Sequence, residues 1–157
     1  MKALVVFYSR TGHTRGLAQR IAAALGADIE EIADRVDRRG ILGYLRSGRD
    51  AWLGRRSEIA PPANDASGFD VVLIGTPVWN MSLSSPVRSY LQDQASRLPQ
   101  VVFFCTLGGS GAARVFRQMQ QACGKAPLAT LARTERQLAQ ADLPRAVEEF
   151  AARVRAL

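Results

Sequence analysis

Three short runs of this chain are almost continuously apolar: ALVVFY at 3–8, DVVLIG at 70–75 and VVFFC at 101–105. A strand with one face in water alternates apolar and polar residues, whereas a strand covered on both faces does not. Runs this short that never alternate belong at the centre of a parallel sheet with helices packed on each side. Two weaker candidates, DIEEI at 28–32 and PLATLA at 127–132, suit its edges or near-edges.

The segments between these runs carry helical spacing. Leu17, Ile21 and Leu25 recur every four residues and stop at Gly26, a natural C-terminal glycine. Ile41, Leu45 and Trp52, with Leu42 and Leu53, can share a face of a second helix. In SSPVRSYL, Ser85 is expected to cap a third helix with Pro86 in its first position and Val87, Tyr90 and Leu91 facing inward. Ala112, Val115, Phe116, Met119 and Cys123 line a fourth, closed by Gly124. Leu143, Val147, Phe150, Val154 and Leu157 line a fifth, which Pro144 opens.

Strict alternation of strand and helix means parallel strands joined by right-handed crossovers. The expected fold is α/β, a three-layer doubly wound sandwich on a five-stranded parallel sheet, with residues 1–157 as a single domain. A chain of this length buries roughly 70% of the surface its unfolded form exposes, enough for one core without staples. The stretch GRRSEIAPPANDASG at 54–68 reads as a connecting loop.

Composition narrows the partners. Only six apolar residues separate Lys2 from Ser9, too few for a signal-peptide core, and no apolar run approaches the ~20 residues of a membrane span, so a cytoplasmic location is expected. Cys105 and Cys123 form no CxxC and His13 is the lone histidine, which argues against a metal site and for buried free thiols. The net charge of +7 is carried mostly by arginine, concentrated at DRVDRRG, RSGRD and GRRSE. No basic stripe interleaved with aromatics is present, so nucleic acid is not an expected partner.

Ligands of doubly wound sheets sit beyond the carboxyl ends of the strands, where strand order reverses. Three loops there carry chemistry. After the first strand come Ser9, Arg10, Thr11, Gly12, His13 and Thr14, leading straight into a helix. Three hydroxyls beside backbone N–H groups at a helix start form a phosphate cradle, without the lysine of a Walker loop or the glycines of a dinucleotide fingerprint. The second loop, 75–86, places Pro77, Val78, Trp79, Asn80 and Met81 where a flat ligand needs an apolar wall. The third, Thr106, Leu107, Gly108, Gly109, Ser110 and Gly111, lets backbone approach the polar edge of a ring.

With these three loops the chain resembles the flavodoxin family over its whole length. The resemblance rests on S-x-T-G-x-T at Ser9, Thr11, Gly12 and Thr14, on Trp79 within 77–81, and on 106–111. It implies a strand order of 2-1-3-4-5 and non-covalent FMN, with the phosphate on the first loop, the isoalloxazine stacked on Trp79 and its pyrimidine edge on the third loop. Arg10 and His13, which the motif leaves free, face either the phosphate or a partner.

Other uses of such loops fail on their own residues. Cys105 is followed six positions later by Gly111, where a phosphatase cradle needs arginine. GGSGA at 108–112 misses the G-x-S-x-G elbow, and no histidine lies downstream. Tyr8 and Ser9 stand where a receiver domain needs acids.

Family carriers are usually acidic near the flavin, yet 77–85 and 106–114 contain no acid. A positive instead of a neutral group ~8 Å away is worth ~2 kcal/mol at an effective dielectric of ~20, raising a one-electron potential by nearly ~0.1 V. The expected function is electron transfer through bound FMN, with redox proteins bearing acidic docking surfaces as partners. The alternative is an FMN-dependent NAD(P)H:quinone-type oxidoreductase, with NAD(P)H and a quinone as partners.

Overall fold

The computed structural model describes residues Met1–Leu157. In chain order the elements are β1 (Ala3–Phe7), α1 (His13–Leu25), β2 (Asp28–Glu31), α2 (Gly40–Trp52), β3 (Val71–Trp79), β4 (Ser82–Leu83), α3 (Ser85–Gln94), β5 (Gln100–Leu107), α4 (Ala112–Cys123), β6 (Thr130–Thr134), α5 (Glu135–Leu138) and α6 (Leu143–Arg155). The parallel strands lie in the order β2-β1-β3-β5-β6, and β4 is an antiparallel appendage of β3. With that two-residue strand set aside, the order is the expected 2-1-3-4-5.

Successive residues of β1 supply opposite layers, as a strand buried on both faces must. Leu4, Val6 and Tyr8 join a cluster with Val87, Tyr90 and Leu91 of α3 and Val115, Met119 and Cys123 of α4. Ala3, Val5 and Phe7 join the other, with Leu17 and Ile21 of α1 and Leu143, Val147, Phe150 and Val154 of α6. Both cysteines are free and buried, and burial pushes the Cys105 thiol up to about 12. Helix α1 ends at Gly26 (φ 61°) and α4 at Gly124 (φ 72°), the left-handed caps expected there.

Several boundaries differ from expectation, each for a local reason. β3 continues through Pro77 to Trp79 because β5 pairs with it as far as Thr106, while β1 pairs only to Gly75. Pro77 thus sits where one edge of the strand is unpaired and its missing N–H is not needed. Asn80 (φ 48°) and Met81 (φ 63°) then turn the chain back into β4, the two left-handed residues of a type I′ hairpin. The segment after Pro127 runs beside β5 through single bonds, Leu128 N–H to Val101 O and Phe103 N–H to Ala129 O, before the regular ladder of β6 starts at Thr130.

Ser84, not Ser85, is the N-cap of α3, and its hydroxyl bonds Thr76 Oγ1 at 2.8 Å instead of the helix. Leu157 lies beyond α6 and is exposed. Thr134 and Gln137 form a reciprocal capping box that opens the short α5.

The largest departure is α2. Ile41, Leu45 and Trp52 share a face, with Leu42 and Leu53 beside it, but that face is exposed. The buried residues are Gly43, Ser47, Asp50 and Ala51. A Cβ on Gly43 would lie 2.1 Å from the Arg38 carbonyl carbon, so only a glycine permits this approach.

Candidate functional site

A cleft of about 440 Å³ opens beyond the carboxyl ends of β1, β3 and β5, where β1 and β3 lead in opposite directions across the sheet. Ser9, Arg10, Thr11, His13 and Thr14 line its first side. Gly12 lies behind them in the left-handed region (φ 103°), and its N–H donates to Ser9 Oγ at 3.1 Å. Helix α1 starts at His13 without a side-chain cap, and its first intrahelical bond is Gly16 N–H to Gly12 O at 2.9 Å. The N–H groups of His13, Thr14 and Arg15 therefore have no acceptor within the helix. A helix start left open beside hydroxyls, with its dipole adding positive potential, suits an anion.

Thr14 ties this loop to the third one. Its hydroxyl lies 2.7 Å from that of Thr106, both side chains being buried. The two residues that the motif leaves free have other engagements. Arg10 donates to the carbonyls of Arg38 (2.9 Å) and Gly40 (3.0 Å), and its guanidinium lies 5.6 Å from the Tyr44 ring centroid. His13 Nδ1 is 3.3 Å from Glu135 at the start of α5.

Pro77, Val78, Trp79 and Asn80 form the second wall, with Trp79 only 8% exposed. Its ring meets Tyr8 edge-on (5.4 Å, 89°) and the Arg38 guanidinium at 5.1 Å. Arg38 is itself buried, bonded to Asp34 (2.6 Å), Asp50 (3.2 Å) and Ser57 (3.2 Å). Burial first, then the charge of Asp34, pushes the Tyr8 phenol up to about 12. Burial pulls the Asp50 carboxyl upward, but bonds from Arg49 and Arg38 outweigh it and hold it below the ordinary range.

Thr106, Leu107 and Gly108 close the third side. Gly109, Ser110 and Gly111 lie outside the lining, as does Met81, yet Ser110 and Gly111 join the third loop to the second. The Ser110 hydroxyl donates to Met81 Sδ at 3.2 Å, and Gly111 (φ 108°) packs so closely that a Cβ would be 3.2 Å from Met81 Cα.

Six lining residues escaped the sequence reading: Tyr44, Leu45, Ser47, Gly48 and Arg49 of α2, and Glu135. The capping signature T-x-x-Q at 134–137 could have located Glu135. The α2 residues carried no such local signal, because its inward stripe of Gly43, Ser47, Asp50 and Ala51 is small and polar. A shallower groove of about 850 Å³ adjoins the cleft, sharing Arg10 and Thr11 and lined further by Arg35, Asp37 and Arg39.

A flavodoxin family model matches residues 2–150. The chain belongs to the flavodoxin family. No curated protein sequence gives a significant match. Among solved structures, a flavoprotein from Lactobacillus acidophilus in complex with FMN is similar at 22% identity and a TM-score of 0.73, over 83% of this chain and 92% of that one. Oxidised flavodoxin 1 from Bacillus cereus is similar at 17% identity and a TM-score of 0.63, over 100% and 99%. A WrbA-like flavodoxin from Agrobacterium tumefaciens is similar at 14% identity and a TM-score of 0.62, over 99% and 96%. At these identities the likeness is one of fold. Within this flavodoxin-family chain no helix is long and apolar enough to cross a membrane.

Proposed function

We propose that the cleft holds FMN non-covalently and that the chain transfers electrons through it to a redox partner. The observation that carries this reading is the open start of α1. His13 and Thr14, whose N–H groups have no helical acceptor, and the hydroxyl-bearing Ser9, Thr11 and Thr14 line one cleft. A phosphate monoester meets such a set with several acceptor oxygens and with a negative charge that the helix start favours. The cleft volume lies in the usual range for a small-molecule site. Family membership and the FMN in the related flavoprotein from Lactobacillus acidophilus support the same choice.

FMN supplies the reversible electron chemistry, and the protein supplies binding, orientation and field. Ser9, Thr11 and Thr14 take the phosphate end. Trp79 and the more exposed Tyr44 are the aromatic walls available to the ring, and backbone at 106–108 meets its polar edge. Arg10 fixes the 38–40 turn and, through it, the start of α2. Glu135 is the carboxylate lining the cleft, and His13 lies against it.

The neighbouring groove favours a second reading, an FMN-dependent NAD(P)H:quinone-type oxidoreductase. Arg10, Arg35 and Arg39 line it beside the carboxylates of Glu31, Asp34 and Asp37, and it is large enough for part of a dinucleotide. One set of spectra separates the two. The purified protein is reconstituted with FMN and with riboflavin, then mixed with NADPH with and without a quinone. FMN bound more tightly than riboflavin, and bleached only slowly by NADPH, is the outcome expected of a carrier. Rapid bleaching with quinone-dependent turnover assigns the enzyme. Protein that FMN cannot reconstitute refutes both.

A further inference from the structure

Helix α2 carries its large apolar residues on the wrong side for a core. Ile41 is 80% exposed, Leu42 83%, Tyr44 66%, Leu45 60%, and Trp52 and Leu53 55% each. At 100° per residue Ile41, Leu42, Leu45 and Trp52 lie opposite the buried Gly43, Ser47, Asp50 and Ala51, with Tyr44 at the cleft edge. The helix cannot roll to hide it. Gly43 is pressed against the Arg38 backbone, and the buried Asp50 carboxylate takes bonds from Arg38 and Arg49 at 3.2 Å. Rolling would break those bonds and drive Arg46 and Arg49 inward, so the apolar ridge is a fixed feature of the surface.

The ridge is also flanked by basic residues. Residues 34–58 contain seven arginines and four acids; Arg35, Arg38, Arg39 and Arg56 pair with Glu58, Asp34, Asp37 and Asp93, which leaves Arg46, Arg49 and Arg55 as the basic rim. Arg46, Arg49 and Arg55 crowd round Asp50 at 3.8, 3.2 and 3.6 Å with half-exposed side chains. Arg38 is buried and balanced by Asp34, so three exposed arginines share the single carboxylate of Asp50 and the rim keeps a positive excess. Arg114 lies 5.0 Å from the Trp52 ring centroid and extends it.

We propose that this face docks onto an anionic lipid surface. A convex helix with leucine, isoleucine and tryptophan along one stripe and arginines beside it is the physical form of an interfacial helix. Lipid headgroups receive such a ridge without a preformed groove, and their negative potential attracts the arginines. A second copy of the chain would instead set arginine against arginine across a two-fold axis. Tyr44, Leu45 and Arg49 belong to both ridge and cleft. Docking therefore turns the mouth of the cleft toward the lipid, where, on the flavin reading above, an acceptor dissolved in the bilayer is within reach.

Co-sedimentation of the full chain with vesicles tests this. Vesicles of phosphatidylcholine alone are compared with vesicles containing about 30% phosphatidylglycerol. Binding is expected on the anionic vesicles only, and to fall steeply between about 50 and 300 mM salt. Arg46→Gln with Arg55→Gln is expected to weaken it about 30-fold, and Leu42→Ser with Leu53→Ser at least about 10-fold. These four side chains lie outside the cleft lining, so FMN titration in solution reports separately on the flavin reading. Trp52 emission should shift to the blue on binding, a change lost in Trp52→Phe. Equal binding to both vesicles, no binding, or double variants that bind like the parent would overturn the proposal. So would a solution dimer abolished by Leu42→Ser with Leu53→Ser, which assigns the ridge to a second copy.

Discussion

Replacing Thr14 by valine tests the proposed phosphate contact separately from the observed bond to Thr106. Thr14 Oγ1 and Thr106 Oγ1 lie 2.7 Å apart in a buried setting, and valine keeps the branched shape while deleting the oxygen. A hydroxyl has one proton to give and two lone pairs to receive with. If Thr106 donates to Thr14, the Thr14 proton is free for a phosphate oxygen. Thr14→Val then incurs two costs. Without ligand, Thr106 is left buried with no partner, at about 1–3 kcal/mol of stability. With FMN, one hydrogen bond to a charged group is lost, at about 1.5–3 kcal/mol, or about 10- to 100-fold in Kd. Riboflavin, which lacks the phosphate, avoids the second cost. In the double variant Thr14→Val, Thr106→Val both partners become apolar, so stability should return toward the parent while the FMN deficit persists. Thermal unfolding gives the first quantity, and flavin-fluorescence titration with FMN and riboflavin gives the second. Equal losses for the two flavins, or FMN affinity restored with stability in the double variant, would show that the first loop holds no phosphate.

Three further substitutions probe the frame around the cleft. Gly75→Ala would place a Cβ 2.2 Å from two ring carbons of the fully buried Phe104; about 3 kcal/mol of overpacking is expected, a fall in Tm of about 6–12 °C by calorimetry. Gly111→Ala forces alanine to φ 108° and brings its Cβ to 3.2 Å from Met81 Cα and Val78 Cγ1. Strain of about 1–3 kcal/mol should part the second and third loops and weaken FMN and riboflavin alike, which paired titrations would detect. Asp50→Asn removes a buried partner of Arg38 and should cost about 3 kcal/mol in urea unfolding, the lower end for a broken buried pair because Asp34 remains. Because the folded-state value of Asp50 is depressed, its contribution is complete above the ordinary carboxylate value of ~3.9. It is lost as pH falls through the folded value, so the parent should lose stability more steeply than Asp50→Asn below about pH 4.

What could be read from the chain alone follows from how local each determinant is. The unbroken apolar runs of β1, β3 and β5 mark the sheet centre because burial on both faces leaves no room for polar residues. The loop that opens α1 was legible because six consecutive residues contain its hydroxyls, its glycine and the helix start. The second loop was less so. The length of β3 depends on pairing with β5, and the setting of Trp79 depends on Tyr8 and Arg38, which lie far away in sequence. Arg10 and His13 were ambiguous for the same reason: the Arg38 and Gly40 carbonyls and Glu135 engage them across the fold.

Helix α2 shows where hydrophobic periodicity misleads. Periodicity finds the face that large apolar side chains share, and a burial rule then assigns that face inward. Here the inward position is decided by distance, since the backbone of Arg38 approaches too closely for any side chain at Gly43. It is decided also by charge. A buried Arg38 requires carboxylates within reach, and Asp50 reaches it only if the stripe of Gly43, Ser47, Asp50 and Ala51 faces the sheet. The small-residue stripe and the large-residue stripe have the same period and opposite phase. Deciding between them requires knowing that Arg38 is buried, which belongs to the tertiary fold. The arginine under Trp79 thus fixes one wall of the cleft and, through Asp50, the direction in which Leu42, Leu45 and Trp52 point.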